Sequence, residues 1–307
     1  MKRLYAADIL LLFVAFIWGA TFVIIQNAVA VLEPFTFNGL RFLCAALFLF
    51  VWIIFFYRDR LLRITRSLLG SGIVLGLWLF SGYALQTFGL LYTTSSKAGF
   101  LTGLNVVLVP LFAYFILKQK PKLPSVIGVG IAVLGLYLLT AGGHSAFNIG
   151  DLLEFLCAIA FGMHIVFTAK YASHYPALVL TLIQISTVAL LNLGAAFLFE
   201  NWSEAFSPAI VGGTGVWFAI LFTALLATVI AYLAQTALQK YSPPTHVALI
   251  LTMEPVFAAV TGYLWAGDRL GRLALLGCFM IFIGMLLAEL PGKVFGRFRR
   301  SKSTVSE

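Results

Sequence analysis

A chain of 307 residues that is 62% apolar and only 10% charged has too little polar surface to keep a soluble globule wet. Its mean hydropathy of +1.02 places it among polytopic membrane proteins. The net charge of +9 is dispersed over many short segments, which excludes a nucleic-acid partner and reads as membrane topology.

A helix rises ~1.5 Å per residue, so about 20 apolar residues cross the ~30 Å hydrocarbon layer. Ten such spans are predicted, over residues 8–29, 35–57, 67–92, 95–117, 124–141, 149–173, 177–199, 212–240, 243–266 and 271–290. The loops between them are too short to house a catalytic or nucleotide-binding domain, which excludes ATP-driven pumping by this chain alone. The first span follows Lys2 and Arg3 and precedes Ala28-Val29-Ala30, the outline of a signal peptide. Its apolar run exceeds a typical signal core, and it aligns with the sixth span, so it is expected to stay in the mature protein. That alignment, at an offset of 143, pairs Asp8, Ala15 and Gly19 with Asp151, Ala158 and Gly162.

Pro34 and Pro176 begin the equivalent second helices, while Pro121 with Pro124 and Pro243 with Pro244 mark further helix starts, where a missing N–H is harmless. Pro110 and Pro255 instead sit deep within spans. Gly72-x-x-x-Gly76 and Gly99-x-x-x-Gly103 permit close helix approach, within one chain or across a homodimer, so monomer and homodimer both stay open. Cys44, Cys157 and Cys278 lie in apolar segments without C-x-x-C spacing, which indicates neither a disulfide framework nor a zinc site.

Residues 83–138 match residues 232–287 without a gap, at an offset of 149. Tyr83, Gln86, Thr87, Tyr92, Gly128 and Gly135 fall on Tyr232, Gln235, Thr236, Tyr241, Gly277 and Gly284. Polar and glycine identities of this kind do not follow from apolar composition. Five spans separate each residue from its counterpart, and five is odd, so equivalent helices cross the bilayer in opposite directions. The predicted fold is therefore an all-α membrane protein of ten transmembrane helices in two inverted five-helix repeats. The repeats are residues 1–145 and 146–290, joined near Gly142-Gly143-His144-Ser145 and followed by a basic tail, 291–307. Proteins built this way move small solutes by alternating access. The growth of the offset from 143 to 149 assigns about six extra residues to the second half, around 200–213.

The basic residues of 2–3, 58–66 and 118–122, with Lys170, Lys240 and the tail, fall on one side; Lys97, Arg269 and Arg272 fall on the other. Both termini are thus expected in the cytoplasm, with the chain in the cell membrane.

Three motifs occur in order: Ile17-Trp18-Gly19-Ala20-Thr21-Phe22, then Leu40-Arg41-Phe42, then Glu254-Pro255-Val256-Phe257-Ala258-Ala259. Together they resemble the EamA family of the drug/metabolite transporter superfamily, over residues 8–290. The resemblance implies ten helices in two inverted halves and the movement of amino acids or other small metabolites, often outward. The family commonly carries an acid in a Gly-Glu-type turn after the fourth and ninth helices; here those positions hold Gln119 and Asp268.

Glu254 lies near the middle of the ninth span, where a carboxylate is disfavoured by ~2.5–3.5 kcal/mol on insertion scales. It reads either as a partner for a substrate amine or a protonatable coupling group, or as part of a helix break with Pro255. Arg41, ~10 Å deep in its span at ~1.5 Å per residue, either lines an outer vestibule and attracts a carboxylate or locks helices together. His164 aligns with Thr21, and the two directly follow a Gly-Met and a Gly-Ala pair at a helix centre, which suggests a cavity lining. Tyr83 with Gln86, and Tyr232 with Gln235, share a helix face and read as cavity wall or interhelical glue. Asn105 aligns with Glu254, an asymmetry suited to one off-axis polar centre. Trp18 either stacks on a substrate ring or packs on a neighbouring helix, and Glu154 is expected at the external mouth.

The expected protein is a secondary transporter of small metabolites, with a small-molecule substrate and membrane lipids as its partners. No catalytic residue, cofactor or metal is expected. A transporter of drugs or cations is the alternative. An intramembrane enzyme on lipid-linked substrates is a further one, against which stands the lack of H-E-x-x-H and G-x-S-x-G motifs.

Overall fold

A computed structural model describes residues 2–93, 95–140, 148–207, 214–266 and 271–289, whose regular structure is helical, with no strand among them. The linker Gly142 to Ser145, the Gly267-Asp268-Arg269 turn, the side chain of Lys97 and the basic tail lie outside the described residues. The first half consists of α1 (Lys2–Val29), α2 (Pro34–Leu61), α3 (Arg66–Gly89), α4 (Ser95–Gly103), α5 (Asn105–Leu117) and α6 (Leu123–Thr140). The second half begins with α7 (Ile149–Ala172) and α8 (Ala177–Phe199). It continues through α9 (Thr214–Phe222), a π-helical segment (Thr223–Ile230) and α10 (Ala231–Leu238). It ends in α11 (Pro244–Leu251), α12 (Glu254–Thr261) and α13 (Arg272–Glu289).

Among the described residues, six helical stretches are long and apolar enough to cross a membrane: Pro34–Leu61, Arg66–Gly89, Ile149–Ala172, Ala177–Phe199, Gly215–Tyr241 and Pro244–Leu264. Four further apolar helices, Ala6–Thr21, Leu101–Leu117, Leu123–Leu139 and Arg272–Leu287, are shorter. Without water, only helices or closed barrels satisfy their own backbone groups, and apolar runs of this length resolve as helices.

Local chemistry sets the helix ends. Pro34 and Pro244 occupy the first turns of α2 and α11, and the Thr65 hydroxyl accepts from Leu68 N at the start of α3. Asn148 and Asp151 form a reciprocal capping box on α7. Lys118, with φ at 56°, ends α5 in the left-handed region.

Three spans are less regular than the sequence predicts. The stretch 95–117 is broken at Leu104 and the stretch 243–266 at Thr252 and Met253, so each is two helices. The breaks are equivalent under the 149-residue offset. Pro255 accounts for the second, because its ring would collide with the carbonyl of Leu251 in a continuous helix. The stretch 212–240 holds the π segment, whose counterpart in α3 is regular.

The two-fold relation of the repeats is visible in the packing. A Cβ added to Gly135 would lie 2.7 Å from the carbonyl oxygen of Gly277, and one added to Gly284 would lie 2.6 Å from that of Gly128. The offset carries Gly128 onto Gly277 and Gly135 onto Gly284, so the two contacts of α6 with α13 exchange into one another. At the helix starts, Ser242 Oγ donates to Asp8 Oδ1 at 2.8 Å and Thr93 Oγ1 donates to Asp151 Oδ1 at 2.5 Å. Asp8 and Asp151 are repeat partners, and so are Ser242 and Thr93.

Gly72 and Gly76 face α8, where an added Cβ would meet Ile183 and Thr187. At the far end of that layer, Glu200 accepts from the backbone of Phe35 and Thr36 at 2.7 Å each, capping α2 from a distance. Asn201 N returns a bond to Glu33 Oε2 at 2.7 Å, so α2 and α8 are pinned antiparallel.

Candidate functional site

The polar residues of the two halves meet in a buried centre bounded by α1, α2, α3, α7, α8 and the π segment with α10. At its middle, the hydroxyls of Tyr83 and Tyr232 lie 2.8 Å apart. Arg41, 1% exposed, donates from Nε to Thr228 Oγ1 at 2.9 Å and from Nη2 to the Tyr83 hydroxyl at 3.4 Å. Its guanidinium carbon sits 5.3 Å from the Phe42 ring centre and 5.2 Å from that of Tyr83, within cation–π range. Nη1 has no hydrogen-bond partner.

The π segment creates two of these contacts. Its wider turn lets Thr228 Oγ1 reach back to Thr223 O while still accepting from Arg41. It also presents the Ala227 carbonyl to Trp18 Nε1, at 2.8 Å. The Trp18 ring lies 5.2 Å from Tyr232, and the His164 ring meets Tyr232 edge-on at 5.9 Å. Gln184 donates from Nε2 to Thr236 Oγ1 at 3.1 Å, which turns its Oε1 to His164 Nε2 at 2.9 Å. In that arrangement Nε2 carries the proton of the imidazole.

The remaining expected residues divide. Thr21 spends its hydroxyl on Ile17 O and Trp18 O of its own helix. Gln86 is half-buried, whereas Gln235 is buried with Oε1 unpartnered. The threonines that follow them behave alike: Asn38 donates to Thr87 as Gln184 donates to Thr236. Asn105 and Glu254 open α5 and α12 just after the equivalent breaks, and both are half-buried. Gly19 brings α1 against the start of α12, since an added Cβ would lie 2.6 Å from Glu254 O.

Glu154, expected at the external mouth, is enclosed, and so is Arg41, for which both an outer vestibule and a lock between helices were open. Glu154 is 0% exposed and accepts from Thr102 Oγ1 at 2.8 Å. Depth along a helix does not reveal which face a side chain takes, and both side chains lie on faces covered by neighbouring helices. Sequence reasoning missed Gln184 and Thr228. Gln184 carried a signal, an amide within an apolar span; Thr228 carried none, because its role depends on the π turn.

The EamA-like transporter family matches residues 5–141 and 148–290. An uncharacterized transporter of Archaeoglobus fulgidus is 33% identical over 291 residues, covering 94% of this chain and 87% of that protein. The uncharacterized transporter YoaV of Bacillus subtilis is 25% identical over 281 residues, covering 89% and 93%. A crystal structure superposes with a TM-score of 0.78 at 19% identity, over 95% of this chain and 99% of the other, a likeness of fold alone.

Proposed function

The chain belongs to the EamA-like transporter family, and we propose that it is a secondary transporter that moves small metabolites, amino acids or related solutes, outward by alternating access. In this reading all ten apolar segments cross the cell membrane, with both termini in the cytoplasm.

The observation that carries the reading is the polar centre between the halves, where Tyr83 of one repeat bonds Tyr232 of the other. A solute bound there touches both repeats, so rocking one against the other exposes it to either side in turn. Trp18, Tyr83 and Tyr232 supply aromatic walls, and Gln86, Asn105, His164 and Gln235 supply neutral donors and acceptors. Arg41 Nη1, buried and without a partner, suits a carboxylate, while Glu254 suits an amine. The hydroxyl–carboxylate contacts at Asp8 and Asp151 act as the two closures that open alternately.

Counterflow in proteoliposomes against a metabolite panel that also contains organic cations tests the reading. Exchange of amino acids or related zwitterions is expected. Exchange of cations alone would replace this reading with a drug or cation transporter, and no exchange of any solute would defeat it.

A further inference from the structure

One turn inward from the two aspartate contacts, the halves stop matching. On the first-half helix the next turn is Leu11 and Val14, which pack in one apolar cluster with Leu238 and Leu251. The repeat offsets carry these four residues onto Glu154, Cys157, Gly89 and Thr102. The same corner of the fold is thus closed by aliphatic side chains in one copy and built around a carboxyl in the other.

That carboxyl is wholly enclosed. Oε2 accepts from Thr102 Oγ1 at 2.8 Å, and Oε1 has no hydrogen-bond partner. The absence of a side chain at Gly89 makes the room, since an added Cβ would lie 2.7 Å from Oε1. Among the described residues no basic side chain pairs with Glu154. The titratable groups near it are Asp151 and Cys157 of its own helix, while α3 and α4 present Gly89 and Thr102. Lys97 of α4 is not among the described side chains.

Packing alone does not require an acid here, because Leu11 and Leu251 fill the equivalent place. A carboxylate with one donor and no counter-charge is strongly disfavoured away from water, and a proton removes the charge. We propose that Glu154 is a proton-binding site, loaded at Oε1 while α7 is packed on α3 and α4 and emptied when that packing opens. The proton comes from water and returns to it, and the carboxylate becomes a neutral acid and back again. Coupling of this proton to solute movement rests on the transporter reading; the binding itself does not.

Infrared difference spectra between acidic and alkaline buffer, recorded on the full chain in lipid, test the site. The wild-type chain is expected to give the carbonyl band of a protonated carboxyl shielded from water, shifting down in heavy water. Glu154→Gln is expected to lose that band and Glu254→Gln to keep it. Glu154→Leu, which copies Leu11 of the other half, is expected to fold and to lose it too, and so serves if the amide variant does not fold. A band unchanged in the Glu154 variants, or absent from the wild-type chain, overturns the proposal. The spectra do not depend on transport: the band without counterflow defeats only the transporter reading, and counterflow without the band defeats only the proton site.

Discussion

Tyr83 and Tyr232 stand 149 residues apart and share a 2.8 Å hydrogen bond between their hydroxyls. That separation equals the repeat offset, so each residue touches its own counterpart. Only residues on a two-fold axis do this, and the bond therefore marks where the pseudo-symmetry axis crosses the buried centre.

Removing these hydroxyls has unequal consequences. Tyr83→Phe takes away both the bond to Tyr232 and the acceptor for Arg41 Nη2, whereas Tyr232→Phe takes away only the first. A hydrogen bond contributes about 1 kcal/mol net, and more when one partner is charged. Thermal unfolding should register the larger loss for Tyr83→Phe, with counterflow falling in both variants. Equal losses would mean that Arg41 does not depend on Tyr83.

The amides one turn along are also separable. Gln235→Leu removes a buried oxygen that has no partner, and is expected to leave thermal stability unchanged or slightly raised. Gln86→Leu, at a half-buried position, is expected to be neutral for stability. Both should reduce counterflow at normal membrane expression; wild-type rates in both would make this face packing alone.

At the crossing of α6 and α13, Gly277→Ala sets a Cβ 2.5 Å from the Gly135 carbonyl oxygen, with backbone on the opposing side. The expected loss is ~1–3 kcal/mol, the range for overpacking. Gly130→Ala meets nothing within 4 Å and serves as the control. Melting points that fail to separate the two variants would place the symmetry contact elsewhere.

Glu254→Gln keeps the size of the side chain but loses the charge. A hydrogen bond to a charged group contributes ~1.5–3 kcal/mol, so KM for an amine-bearing solute should rise on the order of 10- to 100-fold. Solutes without an amine should be little affected. A uniform loss across both classes would remove the amine-binding role.

Ser203 is exposed in the short helix Trp202–Phe206 after α8. In intact cells Ser203→Cys should react with an impermeant thiol reagent added outside. Labelling only from the inside would invert the topology and remove the cytoplasmic placement of the termini.

The sequence by itself determined the membrane class, the helical content and the two-fold relation. Apolar runs without water must close their own backbone bonds, and a register such as Tyr83 on Tyr232 is carried by residue identity. Helix starts at Pro34 and Pro244 were equally legible, because proline acts on its own turn. The breaks at Leu104 and before Pro255 were not, since α5 runs unbroken through the other mid-span proline, Pro110. Tertiary structure alone decided that Arg41 and Glu154 are enclosed, that Trp18 reaches Ala227, and that the π segment turns Thr228 toward Arg41. Those contacts join residues up to 209 positions apart. They depend on which helix faces meet and how one irregular turn rotates them, and neither is encoded within a single span.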